Sequence, residues 1–323
     1  MGKAVFVART GDASVLEVRD HDPGPPGPGQ VRIAVEAAGV NFIDVYFRTG
    51  AYPAKLPMVL GLEGAGRVEA VGGGVQGFAP GDHVAWSSAP GSYATHVVAP
   101  ASVLVHVPDG VDGDTAAAAM LQGMTAHYLV WGCRETRPGD TALVHAAAGG
   151  VGLLLIQMLV RAGARVIGTC STEDKAKLVR EAGAEEVVLY SKTDFTPVVR
   201  QWSGGAGVDV VYDSVGKTTF DGSLACLRPR GLLAIYGQSS GAVPPFDLQR
   251  LNQGGSLFVT RPSLAHYTAT REELEMRAGA VLGAIARGEL RMRIGARFPL
   301  AETAAAHRAL EGRGTTGKVL IDP

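Results

Sequence analysis

The sequence has few cysteines and no excess of either sign of charge. Its 323 residues include three cysteines, Cys133, Cys170 and Cys226, which are odd in number and widely separated. This pattern is not that of a disulfide framework, and it favours reduced, mostly buried thiols in a cytoplasmic protein. Thirty Lys and Arg stand against 31 Asp and Glu, a net charge of −1, so nucleic acid and anionic membrane are not expected partners.

Long uncharged apolar runs are also missing. The N-terminus lacks a basic and apolar leader, and the longest apolar stretches contain Gly, Arg or His. We therefore expect neither secretion nor a membrane-spanning segment. Hydrophobic residues nonetheless make up 46% of the chain and charged residues 19%, which is enough apolar material for a substantial core. A chain of this length predicts two domains.

The first third of the chain consists of short β-rich runs separated by glycine and proline turns. The runs "KAVFVA" and "VRIAVEAAGV" flank the loop "DPGPPGPGQ". A helix is predicted in the alanine-rich segment that follows, with Asp114 as its N-cap. The tail returns to strand-like stretches in "RIGARFPL" and "GKVLID". We predict a mostly β domain that combines residues 1–124 with residues 262–323.

From about Asp140 the pattern changes to strands that alternate with helices. The predicted strands are "TALVHA", "ARVIGTC", "EEVVLY", "VDVVYDSV", "LLAIYGQS" and "SLFVTR". Six apolar strands separated by helices indicate a parallel sheet covered on both faces. The fold class is therefore α/β, with a doubly wound Rossmann domain over residues 125–261.

The stretch "HAAAGGVG" joins the first of these strands to the first helix. It matches G-x-G-x-x-G with Ala147 in place of the first glycine. Gly149 allows the backbone to approach a pyrophosphate, and Gly150 and Val151 present N–H groups at the positive end of the helix. Gly152 allows close packing of helix on strand. A tight turn without a ligand is the alternative, and the surrounding strand–helix alternation counts against it.

The end of the second strand indicates which dinucleotide would bind. No acidic residue stands at its tip to hold a ribose 2′-hydroxyl. Ser171, Lys175 and Tyr190 instead offer a hydroxyl, an ammonium and a phenol, which suit a 2′-phosphate and favour NADPH over NADH. The alternative is that Lys175 is a solvated surface charge, and the nearby Glu173 and Asp174 keep that alternative open.

Nearly the whole chain resembles the zinc-free quinone oxidoreductases of the medium-chain dehydrogenase/reductase superfamily, the group that includes zeta-crystallin. The stretches that carry the resemblance are "AGVNFIDVYFRTGAYP", "LGLEGAGRVEAVG", "GDHVAW", "HAAAGGVG", "VVYDSVG", "YGQSSGAV" and "GSLFVTRPSL". The resemblance implies a GroES-like catalytic domain beside the Rossmann domain. It also implies reduction of a quinone by NADPH.

The resemblance also implies that the protein holds no metal. Zinc-dependent relatives place a Cys ligand in the region of Asn41 and Phe42, and a His where this chain has Leu62. Glu63 remains, but one carboxylate cannot build a catalytic zinc site of three protein ligands. His145 lies in a strand, where a core role is expected. Without a Lewis acid, we expect direct hydride transfer to an electron-poor acceptor in an apolar cleft between the domains.

By the same resemblance, Asn41, Tyr46 and Tyr52 are the candidate catalytic residues. Asn41 and Tyr46 would lie beside the nicotinamide and the substrate, where each can donate a hydrogen bond. The alternatives are an Asn that bonds its own backbone and tyrosines that belong to the core. Arg313 would reach the 2′-phosphate, or else be an exposed loop residue. Further expected cofactor contacts are Thr125, Ser214, Tyr236, Gln238, Ser239, Ser240, Val259 and Thr260.

The last strand, in "GSLFVTR", is apolar and would lie at the edge of the sheet. An unpaired apolar edge invites aggregation unless it is covered. Pairing with the same strand of a second subunit, as in the family, would continue the sheet across a two-fold axis. We therefore expect a homodimer through the Rossmann domains.

Two other functions remain open at this point. An NADPH-dependent enone or alkenal reductase needs the same hydride transfer and differs in the shape of the pocket. A non-catalytic NADPH-binding protein, crystallin-like or RNA-binding, is an alternative of another class, since a fold does not dictate a function. The near-zero net charge and the lack of a basic stripe with interleaved aromatics count against RNA.

Overall fold

The computed structural model describes residues 2–323. The chain divides into two compact units, which are described separately. The first unit holds the residues up to Met124 together with Thr268–Pro323, and the second holds Thr125–Tyr267. Within the described range, no helix has both the length and the apolar character that a membrane crossing requires.

The strands, numbered in chain order, are β1 (Gly2–Val7), β2 (Leu16–His21), β3 (Gln30–Val40), β4 (Met58–Val59), β5 (Glu63–Val71), β6 (His83–Trp86), β7 (His96–Pro100), β8 (Val105–His106), β9 (Thr141–Val144), β10 (Arg165–Cys170), β11 (Glu186–Leu189), β12 (Val208–Asp213), β13 (Leu227–Ile235), β14 (Phe258–Thr260), β15 (Ile294–Pro299) and β16 (Lys318–Asp322).

The α-helices are α1 (Phe42–Thr49), α2 (Gly113–Tyr128), α3 (Gly150–Arg161), α4 (Glu173–Glu181), α5 (Phe195–Trp202), α6 (Phe220–Cys226), α7 (Gln249–Gln253), α8 (Leu264–Tyr267), α9 (Arg271–Ala286) and α10 (Thr303–Glu311). Short 3₁₀ turns occur at Ala13–Val15, Ala101–Val103 and Leu300–Glu302, and α2 continues as a π-helical stretch, Leu129–Cys133.

The first unit is mostly β. One sheet has the order β2-β1-β4, and a larger one has the order β15-β16-β3-β5-β6-β8, with β7 also paired to β3. The C-terminal strand β16 runs antiparallel to β3 with Val319 opposite Val40, so the tail completes a sheet begun near the N-terminus. Inward-facing residues such as Val5 and Ile321 form one core cluster, and Trp86 lies in another.

The second unit contains a parallel sheet of six strands in the order β11-β10-β9-β12-β13-β14. The chain moves outward from β9 to β11 and then returns to the other side of β9 with β12, which is the doubly wound arrangement. Leu143, Ile167, Val211 and Leu233 from four neighbouring strands share one buried cluster. The predicted α/β class with a six-stranded Rossmann sheet is confirmed. Ligands in such sheets bind at the carboxyl ends of the strands, where the order reverses.

The predicted N-cap of α2 was wrong by two residues. The helix begins at Gly113, and the carboxylate of Asp112 accepts a hydrogen bond from the N–H of Thr115 at 2.7 Å. Asp114 lies inside the first turn and forms an ion pair with Arg297. Two acidic residues flank Gly113, and the sequence alone does not say which of them precedes the first helical residue.

Candidate functional site

The glycine turn lies between β9 and α3. Ala146 adopts the left-handed conformation with a φ of 47°, and the N–H of Gly149 returns to the carbonyl of Ala146 at 2.9 Å. Gly149 then caps a helix of 12 residues. A Cβ on Gly152 would lie 2.6 Å from the carbonyl oxygen of Ala147, so only glycine fits there. The turn therefore ends with the N–H groups of the first helical turn available to an anion.

The next feature is the edge formed by β10 and β11. Cys170 and Leu189 are partners in the parallel register, so Ser171 and Tyr190 follow them at the same end of the sheet. The hydroxyl of Ser191 donates to the carbonyl of Ser171 at 2.8 Å and joins the two strand ends. The structure thus brings two of the three residues predicted for the 2′-phosphate to one place.

The third predicted phosphate ligand, Lys175, lies in the first turn of α4, and burial lowers its pKa. The acidic neighbours that could compete for it have other partners. Glu173 pairs with Lys192 at 3.5 Å and Asp174 pairs with Lys177 at 3.1 Å. Both carboxylates therefore form ion pairs with lysines other than Lys175.

The loops that follow β12 and β13 interlock at the same edge of the sheet. The N–H of Ser239 donates to the carbonyl of Ser214 at 3.1 Å. The hydroxyl of Ser240 donates to the carbonyl of Val215 at 2.7 Å and accepts from the N–H of Thr218 at 3.1 Å. These hydrogen bonds join the two loops into one rim, which also carries Tyr236, directly after β13, and Gln238.

The remaining predicted cofactor residues are spread over three elements. Val259 and Thr260 end β14, opposite Leu233 and Ala234 of β13. Thr125 is buried in α2. Arg313 belongs to the first unit, where it follows α10 in a left-handed conformation with a φ of 56°.

The candidate catalytic tyrosines lie on and directly after α1. The rings of Tyr46 and Tyr52 have their centroids 5.0 Å apart, and the N–H of Tyr52 donates to the carbonyl of Tyr46 at 3.0 Å. Phe42 lies 6.2 Å from Tyr46, and Phe47 lies 5.9 Å from Tyr52, measured between ring centroids. Four aromatic rings thus form one cluster around this helix.

Asn41 immediately precedes α1 and takes part in a buried ionic network. Lys318 and Glu63 form an ion pair in which both side chains are fully buried. The carbonyl oxygen of Asn41 accepts from Lys318 at 2.8 Å, and its amide nitrogen donates to Glu63 at 2.7 Å and to the carbonyl of Gly39 at 3.2 Å. These contacts determine which end of the amide is the oxygen and which is the nitrogen, because a reversed amide would point its N–H groups at the ammonium of Lys318. Both amide hydrogens are used inside the protein.

The same network continues into α1 and α2. The carboxylate of Asp44 accepts from the hydroxyl of Tyr93 at 2.8 Å and from the backbone N–H of Asn41 at 2.9 Å. Burial raises the pKa of Asp44 to about 7. Glu63 also accepts the N–H of Leu121 at 2.6 Å. The only sign of this cluster in the sequence is a lysine, Lys318, at the start of the apolar strand β16.

His145 is buried in the second unit, and both ring nitrogens have hydroxyl partners. Nδ1 lies 3.0 Å from Oγ1 of Thr169, and Nε2 lies 3.0 Å from Oγ of Ser223. Across residues 2–323, no group of three or more His, Cys, Asp or Glu side chains is placed to hold a metal ion.

Comparison with protein families matches both parts of the chain. Residues 27–109 match the model for the alcohol dehydrogenase GroES-like domain, and residues 150–275 match the model described as zinc-binding dehydrogenase. A GroES-like part joined to a Rossmann sheet with a glycine turn defines a nucleotide-dependent dehydrogenase or reductase of the medium-chain type.

Individual relatives indicate which family within this class the chain belongs to. A quinone oxidoreductase of Pseudomonas aeruginosa is 47% identical over 325 residues, with complete coverage of both chains. A 2-haloacrylate reductase from a Burkholderia species is 45% identical and covers 93% of this chain and 92% of its own. The chain belongs to the quinone oxidoreductase family of the medium-chain dehydrogenase/reductases, which confirms the resemblance found in the sequence.

Solved structures agree with this relationship. The mycobacterial protein Rv1454c complexed with NADPH superposes with a TM-score of 0.97 at 49% identity, covering 99% of this chain and all of that one. The quinone oxidoreductase of Escherichia coli complexed with NADPH gives the same TM-score at 39% identity and the same coverage.

Proposed function

We propose that this protein is an NADPH-dependent quinone reductase. The observation that carries the proposal is its full-length relation to quinone oxidoreductases, one of them solved with NADPH. NADPH supplies a hydride, and with one proton from solvent it converts a quinone to a hydroquinone and leaves NADP⁺.

The residues of the second unit fit this cofactor. The N–H groups of Gly150 and Val151 in the first turn of α3 have no partners within the helix and would hold the pyrophosphate, and Gly149 would let the backbone approach it. Ser171, Lys175 and Tyr190 would hold the 2′-phosphate. The rim formed by Ser214, Tyr236, Ser239 and Ser240, together with Thr125, Val259 and Thr260, supplies the other proposed contacts of the second unit.

The first unit fits a ring-shaped substrate that needs no metal. Tyr46 and Tyr52 belong to an aromatic cluster that suits a flat quinone ring, and their hydroxyls suit its oxygens. Asn41 acts through its contacts with Glu63 and Gly39 rather than as a donor to substrate, because both of its amide hydrogens are taken. Glu63, the one residue left from the zinc-site pattern, is already neutralised by Lys318.

The experiment that tests the proposal is oxidation of NADPH and NADH by the purified protein with a chelator present. The acceptors are ortho-quinones, para-quinones, an enone and a ketone. Turnover of quinones with NADPH and none of the ketone is the expected result. Activity that the chelator abolishes and zinc restores would contradict the proposal. NADPH binding without turnover of any acceptor would favour a non-catalytic role, and RNA binding would then be measured.

Reduction of an activated double bond is the second candidate. The 45% identity to a 2-haloacrylate reductase favours it, because an acrylate bears an electron-poor carbon–carbon double bond. The same panel decides, since turnover of the enone but not of quinones would replace the first proposal.

Replacing Lys175 by alanine is expected to weaken the preference for NADPH over NADH by about tenfold, because a charge-assisted hydrogen bond to the phosphate is lost. The ratio of the two kcat/KM values measures this. Lys177→Ala on the same helix removes an exposed lysine paired with Asp174 and should leave the ratio unchanged. An unaltered ratio in the Lys175 variant would count against the phosphate assignment.

We also propose a homodimer formed through β14. This strand lies at the edge of the parallel sheet, and Phe258 on it is 62% exposed. Phe258→Lys is expected to shift the protein from dimer to monomer in light scattering at micromolar concentration. Leu248→Lys is the control, because Leu248 is 70% exposed but lies outside the strand. A monomeric unaltered protein would refute the proposal.

A cytoplasmic location is part of the proposal. Cys133, Cys170 and Cys226 are free thiols, and burial raises the pKa of Cys170 and Cys226. Reduced cysteines suit the cytoplasm. Recovery of the protein mainly in a secreted or membrane fraction of its cells would contradict this.

A further inference from the structure

Four buried side chains form a continuous hydrogen-bonded chain at the carboxyl ends of β10, β9 and β12, three neighbouring strands. Thr169 is the next-to-last residue of β10, and His145 directly follows β9. Asp213 is the last residue of β12, and Ser223 lies in α6. None of them is more than 1% exposed. The distances are 3.0 Å from Thr169 Oγ1 to His145 Nδ1, 3.0 Å from His145 Nε2 to Ser223 Oγ, and 2.9 Å from Ser223 Oγ to Asp213 Oδ2.

The carboxylate of Asp213, at the end of this series of hydrogen bonds, determines which group donates in each of them. Asp213 accepts four hydrogen bonds, from the N–H groups of Val215 and Gly216 and from the hydroxyls of Thr219 and Ser223. Since Ser223 gives its only proton to Asp213, it accepts from Nε2–H of His145.

The imidazole is therefore in one defined tautomer. Burial lowers the pKa of His145 and favours the neutral ring. With the proton on Nε2, Nδ1 can only accept, and the hydroxyl of Thr169 is its donor. The four groups thus satisfy one another in a single arrangement, which a buried polar network requires if it is to be stable.

These hydrogen-bonded side chains connect the two loops that are proposed to bind the dinucleotide. On one side, the glycine turn is pinned by backbone bonds from His145 to Tyr212 and from Ala147 to Thr169, both at 3.0 Å. On the other side, Asp213 organises the loop that begins at Ser214. Ala142, Leu143 and Val144 of β9, which precede His145, are apolar and fully buried, so the hydrogen-bonded side chains begin where the strand meets the glycine turn.

We infer that Thr169, His145 and Ser223 are positioning residues for the cofactor, which couple the glycine turn to the Ser214 loop so that both present their backbone groups to the dinucleotide. The inference rests on the proposed NADPH function. Because the pyrophosphate is common to both nicotinamide dinucleotides, the coupling serves NADPH and NADH equally.

The test uses the full-length protein and two variants, Thr169→Val and Ser223→Ala. Each is expected to raise the Kd for NADPH and for NADH by a similar factor of about five to ten, the usual effect of one buried hydrogen bond. The KM for NADPH should rise while kcat is retained. Kd is measured by cofactor fluorescence, and the Tm of the protein without cofactor is measured alongside.

Thr136→Val is the matched control. Thr136 is also buried in the second unit, where its hydroxyl donates to the carbonyl of Val130 at 2.9 Å, but it lies before the amino end of β9. Its loss should lower the Tm comparably and leave both Kd values unchanged. Thr169→Ser keeps the donor and should restore the affinity, including in the case that Thr169→Val folds poorly.

The outcomes separate this inference from the proposed function. Unchanged Kd values in Thr169→Val and Ser223→Ala, with cofactor binding by the unaltered protein intact, would overturn the inference alone. Equal weakening in Thr136→Val would also overturn it, because any buried hydroxyl would then have the same effect. Failure of the unaltered protein to bind either cofactor would overturn both.

Discussion

Lys318→Met is expected to lower the free energy of unfolding by about 3–5 kcal/mol, the usual cost of leaving a buried charge without its partner. Glu63 and Lys318 are both fully buried, so removing the ammonium leaves a carboxylate that no water can reach. Asn41 would lose the donor to its carbonyl oxygen at the same time. Urea denaturation of the full chain measures the effect, with the slope checked for a change in compactness.

The matched control is Lys192→Met. Lys192 also pairs with a glutamate, Glu173, but the side chains are 66% and 62% exposed, so the change should stay within about 0.5 kcal/mol. The double variant Lys318→Met with Glu63→Gln should recover part of the lost stability, because the buried charge is then removed as well. A Lys318 variant as stable as the unaltered protein would contradict the expected cost of leaving Glu63 buried without its partner.

Gly152→Ala is expected to cost about 2–3 kcal/mol of stability and to weaken NADPH binding. Alanine is the better helix former, so propensity alone predicts a gain. The added Cβ would lie 2.6 Å from the carbonyl oxygen of Ala147 and 2.7 Å from that of Ala146, and backbone atoms of the glycine turn cannot move aside as a flexible side chain can. Thermal unfolding and the Kd for NADPH measure the two effects.

The same substitution at Gly279 should have the opposite sign. Gly279 lies inside α9, and apart from its chain neighbours and the helix's own backbone no heavy atom is within 4 Å of the position that a Cβ would take. Gly279→Ala should therefore stabilise the protein by about 0.5–1 kcal/mol. If both variants were stabilised, the close approach of the turn to α3 would not be what requires glycine at position 152.

The second unit was largely readable from the sequence because its signals are local. Each of its strands is a short apolar run next to a helix, and parallel strands with helical connections form one kind of sheet. The glycine turn was found from eight consecutive residues. Ser214, Tyr236, Ser239 and Ser240 do lie where β12 and β13 end, and their contact with a cofactor stays a prediction.

In the first unit, local sequence patterns did not reveal the hydrogen-bond partners of the buried polar groups. Asn41 was chosen as a hydrogen-bond donor toward a substrate, but the structure has both of its amide hydrogens on Glu63 and Gly39. The residues responsible are far away along the chain, since Lys318 is 255 positions from Glu63. No periodicity or motif connects two charges at that separation.

The sequence by itself determined the fold class, the glycine turn and the family, because strand–helix alternation and turn chemistry depend on neighbouring residues. Only the tertiary structure decided which polar groups are partners. Whether Asn41 has a hydrogen to donate and which tautomer His145 adopts both depend on atoms from distant segments. Buried polar groups must satisfy one another in three dimensions, and a one-dimensional pattern does not record those pairings.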